Sequence, residues 1–167
     1  PGKPCGRWLA WLVRDWGHRN WSDKVVTISA WYAMNDPDPD PERELWTGDS
    51  PCYGGRALDA GINSTRGAMA SAIARLLFDD NDRFKALRDA VDSLVHDRST
   101  AVRCCAIEIL LAISNIDLEL ATKWFSECVS ADDVILSTPG VDRFLYHAGF
   151  RDYARVRPVL RRMLQAK

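Results

Sequence analysis

From residue 64 onward the apolar residues recur at spacings of three and four. Phe84, Leu87, Val91 and Leu94 form one such series, and Val102, Cys105, Ile109 and Ile113, with Ala106 and Leu110 beside them, form another. Leu118, Ala121, Phe125 and Cys128 repeat the pattern, as do Tyr153, Val156, Leu160 and Met163. Such spacing lays one apolar stripe along a helix, and the strict alternation of a half-buried strand is absent. The pattern predicts an all-α chain with helices near 6–17, 22–34, 64–78, 82–96, 99–114, 117–130, 139–148 and 151–165. Ser64, Ser99 and Thr138 fit N-caps, and Pro139 fits the first helical position after Thr138. Asp80-Asn81-Asp82, Ser114-Asn115 and Ala148-Gly149 read as breaks, and Pro158 should kink or split the last helix.

Residues 35–62 interrupt this series. They contain Asp36-Pro37-Asp38-Pro39-Asp40-Pro41, then Trp46, then Cys52-Tyr53-Gly54-Gly55. Alternate prolines block helix and sheet and favour an extended path. The segment reads as a long non-helical insertion with an acidic, solvated first half. Trp46, Tyr53 and Leu58 suit an apolar groove, so it is expected to lie against the helices as an ordered functional surface.

Short helices joined by tight turns suggest a helical repeat. The segment Thr65 to Ile73 can be laid on Val102 to Leu110, which matches Arg66 with Arg103 at an offset of 37 residues. The run Asp97-Arg98-Ser99-Thr100-Ala101-Val102-Arg103-Cys104-Cys105-Ala106 resembles the HEAT/armadillo family, in which an Asp precedes Val-Arg-x-x-Ala at the start of a second helix. HEAT-type repeats run about 40 to 47 residues. The resemblance implies an α-solenoid of antiparallel helix pairs, with 22–34 and 64–78 forming one pair around the insertion. It also implies a carboxylate–guanidinium ladder of structural residues, Arg66 and Arg103 with Asp97 and Asp59, in which Arg103 pairs with Asp97. The stretch Tyr53-Gly54-Gly55 with Ala60 to Gly67 resembles a segment of large bacterial multidomain proteins, some of which join a nucleotide-binding switch domain to a sensing repeat region. That likeness fixes no residue's role.

Composition narrows the classes. The 167 residues are 47% hydrophobic and 27% charged, a mix that suits a single globular helical-repeat domain. Pro1 in place of Met, and a last helix running almost to Lys167, read as a fragment of a longer parent chain. No apolar run of about 18 residues spans a membrane. A net charge of −1 supplies no global field for nucleic acid. The five cysteines form no CxxC pair and the three histidines are scattered, so no zinc-ligand set is spelled out. Buried free thiols fit a reducing cytoplasm.

Individual residues offer little chemistry. The alternate aspartates fail the calcium-loop pattern, since the sixth position is Pro41 and the twelfth is Thr47. Gly54-Gly55-Arg56 lacks the lysine of a phosphate-binding loop. Neither a catalytic triad nor a cofactor site can be assembled, and Cys104-Cys105 reads as packing. The expectation is a non-catalytic protein-interaction, scaffold or sensor module. Its partner would be another protein or the remainder of its own chain, with Trp46, Tyr53, Trp8 and Trp11 as partner-binding candidates. The alternative is nucleic-acid binding through a basic C-terminal face of Arg151, Arg155 and Arg162.

Overall fold

A computed structural model describes residues 4–16, 20–41 and 55–165. The chain is all-α, with no strand among the described residues. Its helices are α1 (Pro4–Asp15), α2 (Asp23–Asn35), α3 (Gly55–Ile62), α4 (Thr65–Asp79), α5 (Phe84–Val95), α6 (Thr100–Ile113), α7 (Leu118–Val129), α8 (Pro139–Arg151) and α9 (Tyr153–Gln165). Short 3-10 turns at Asn81–Arg83 and Asp133–Ser137 precede α5 and α8.

The helices form two rows. In the first, α1 packs on α4, α4 on α6 and α6 on α8. In the second, α2 packs on α5, α5 on α7 and α7 on α9. The rows face each other through α2 against α4, α5 and α7 against α6, and α8 against α9. The two middle helices of the first row are therefore covered on most sides. α4 leaves only Ser71, Arg75, Phe78 and Asp79 unburied, which is why its sequence is apolar and small nearly all round. In α6 the predicted core residues Val102, Cys105, Ala106, Ile109, Leu110 and Ile113 are all buried. A stacked ring pair, Phe125 on Phe144 with centroids 4.2 Å apart, joins α7 to α8.

Side-chain caps set several boundaries. The Ser64 hydroxyl accepts from the Gly67 amide, Ser99 from Val102 and Asp117 from Leu120. Thr138 does not cap with its side chain, because its hydroxyl donates back to the Ile135 carbonyl. The two serine caps set the starts of α4 and α6 35 residues apart, not 37. Arg66 is thus the second residue of its helix and Arg103 the fourth, and the two are not equivalent positions.

Other expectations shift. α8 continues through Ala148-Gly149 to Arg151, and Asp152 breaks the chain instead. α9 is not split at Pro158. Its buried stripe is Val156 and Val159, with Leu160 and Met163 packed beside them, whereas Tyr153 is exposed. The largest difference lies in the insertion, which is not wholly non-helical, since Gly55–Ile62 forms α3. This helix packs on α6 and α4 and touches the 3-10 turn before α8. Two glycines allow the approach. A Cβ on Gly61 would overlap the Ala101 carbonyl oxygen of α6, and a Cβ on Gly67 would overlap the Gly61 carbonyl oxygen. Trp46 and Tyr53 lie outside the described residues.

Candidate functional site

The start of the insertion is fastened by Arg66. This side chain is about nine-tenths buried. Its Nε and Nη2 donate to the two Asp97 carboxylate oxygens at 2.8 and 3.1 Å. Its Nη1 donates to the Asp36 carbonyl at 2.7 Å, and its Nη2 also donates to the Pro39 carbonyl at 3.0 Å. The Asp38 carboxylate accepts from the Thr65 amide and hydroxyl at the start of α4. The acidic run is therefore not simply solvated. Asp36 is buried, and Asp38 serves the N-terminus of a helix that begins 27 residues later.

Arg103 behaves differently from the expected rung. Its Nε donates to the main-chain carbonyl of Asp97 at 2.6 Å, and its Nη1 reaches the Glu127 and Cys128 carbonyls at 3.4 Å. Those last two carbonyls lie at the C-terminal end of α7, where the helix dipole favours a cation. The Asp97 carboxylate belongs to Arg66 and to the Ser99 amide. Asp59 is exposed and accepts from Asn63, not from Arg66.

The insertion returns as α3, and beside it lies a cavity of about 260 Å³. Leu58 and Ile62 of α3 line one side, Ser71 of α4 and Cys104 and Cys105 of α6 the base, Pro139, Gly140 and Arg143 of α8 the far side, and the partly exposed Glu108 of α6 the edge. Arg14 of α1 reaches the rim. All four helices of the first row and α3 thus meet at one place. Arg143 Nη2 donates to Glu108 at 2.9 Å. Arg14 donates to Asp15 at 2.7 Å. Hydrogen bonding to Asp15 holds the Arg14 guanidinium above its ordinary range, with Glu108 adding attraction from farther off. Burial pushes the Cys105 thiol far up, and its neighbours Cys104 and Glu108 push the same way. A thiol in that state is a small apolar floor tile and a poor nucleophile. The arrangement suits an apolar side chain entering between charged rims.

A second, more open groove of about 460 Å³ runs beside the Asp-Pro segment, between Met34, Pro37 and Pro41 on one side and Asp92, His96 and Arg98 on the other. His96 Nε2 lies 3.1 Å from Glu127. Among the described residues no group of three His, Cys, Asp or Glu could hold a metal ion.

The structure separates the remaining candidates. Trp8 is 64% exposed and meets Trp11 edge-on at 5.1 Å. Trp11 is half-buried under the Arg7 guanidinium. Trp8 and Leu12 of α1, with Trp16 in the turn after it, form an exposed stripe at spacing four. In the C-terminal helices, Arg155 pairs with Asp152 and Glu119, and Arg162 pairs with Asp133 and donates to the Val129 carbonyl. Arg151 donates to the Ser114 carbonyl at 2.6 Å. These three arginines tie α8 and α9 to their neighbours, while Arg151 and Arg155 stay exposed.

Sequence reasoning missed Glu108, Arg14 and Arg143 as residues of interest, and it weighed Asp38 only as a calcium ligand. Glu108 had a signal, since it is the one charge in the otherwise apolar run Cys104–Ile113. The role of Asp38 at the start of α4 had no signal, because its partner Thr65 is remote in sequence. Comparison with protein-family models, curated proteins and solved structures finds no match to this chain.

Proposed function

We propose that this chain is a HEAT-like helical-repeat module that binds a protein segment in the groove beside α3, as a non-catalytic scaffold or sensor part of a larger bacterial cytoplasmic protein. The segment would come from another protein or from the remainder of the parent chain. The observation that carries this reading is the convergence of α1, α4, α6 and α8 with α3 on one apolar-floored, charge-rimmed cavity. Stacked helix pairs bury their cores between neighbours and leave such continuous faces for partners. The two-row order and the Arg66–Asp97 pair support the HEAT-like part. The 35-residue offset between caps is shorter than the family's period and close to the ~34 of tetratricopeptide pairs, so the Val102-Arg103 pattern is what favours HEAT. The free thiols of Cys104, Cys105 and Cys128, all buried, fit a reducing compartment. No described helix is long and apolar enough to cross a membrane. Nucleic-acid binding stands second, because Arg155 and Arg162 are already paired with carboxylates.

Photo-crosslinking tests the proposal. A photoreactive residue at Ile62, beside the cavity, should trap a defined protein in extract of the source cells, and the Glu108→Arg variant should lose it. The same probe at Lys85, on exposed α5 surface, should trap nothing specific. Equal labelling from both positions would reject the groove. Steeply salt-dependent binding of labelled DNA or RNA, abolished by Arg151→Glu, would favour the second reading.

A further inference from the structure

We draw no further inference here: the strongest candidate, the exposed aromatic patch of Tyr146, Phe150 and Tyr153 at the α8–α9 end of the two rows, is an unpartnered apolar face, and nothing in the structure shows what covers it.

Discussion

Arg66 ties the start of the insertion to α4 and to Asp97. A buried guanidinium whose three nitrogens all donate fixes the direction of what it touches, here the Asp36 carbonyl just after α2, the Pro39 carbonyl and the Asp97 side chain. Removing one member of a buried, hydrogen-bonded ion pair typically costs about 3–5 kcal/mol. Arg66→Ala should fall in that range by urea unfolding, and a double-mutant cycle with Asp97→Ala should show clear coupling. A cycle without coupling would mean that the pair is incidental. The sequence marked both residues but joined Asp97 to Arg103, because Asp97 stands just before that helix, whereas Arg66 is 31 residues away and meets it only in the folded chain. The thiols give a residue-scale test in pH. Burial pushes the Cys128 thiol from the ordinary 9.0 up to about 12, with Arg103 partly opposing. The folded state thus keeps its proton where the unfolded chain has lost it. This contribution to stability is complete below pH 9 and is lost as pH rises toward 12. Stability measured across that range should fall less steeply in Cys128→Ala than in the parent chain. Identical slopes would show that the thiol titrates normally.

At the scale of elements, long amphipathic helices were legible and α3 was not. Helices α5 and α7 carry one apolar face each, so their spacing shows at once. Gly55–Ile62 is eight residues with two glycines, and local preference there argues against a helix. Tertiary packing overrides it. Gly61 brings α3 against the Ala101 carbonyl of α6, and the missing side chain is what lets the helix dock. Gly61→Val should therefore detach or displace α3 and destabilise the fold by about 1–3 kcal/mol, the usual cost of overpacking. A thermal melt unchanged from the parent would place α3 away from α6. The centre of α6 sets the comparison. Ile109 is fully buried, so Ile109→Ala should cost about 2–5 kcal/mol. A loss below about 0.5 kcal/mol would show that this face is not core.

At the scale of the molecule, two rows of helices follow from which stripes are wide. α4 and α6 are apolar nearly all round because each has neighbours on several sides, and the outer helices are amphipathic because each has fewer. The fold class was thus readable from the sequence, while the cavity was not. Its walls come from five helices spread between Arg14 and Arg143, and no local pattern announces that they meet. Trp46 and Tyr53, which the sequence put forward for this role, lie outside the described residues, so the groove rests on α3 instead. Native-state hydrogen exchange of the intact chain, read by mass spectrometry, tests whether the insertion returns as a docked helix over a two-row core. The arrangement predicts slowest exchange in Thr65–Asp79 and Thr100–Ile113, and clear protection of Gly55–Ile62, its amides bonded within a packed helix. Exchange of Gly55–Ile62 at the rate of an unstructured peptide, while α4 and α6 stay protected, would contradict it and remove the wall on which the proposed binding groove depends.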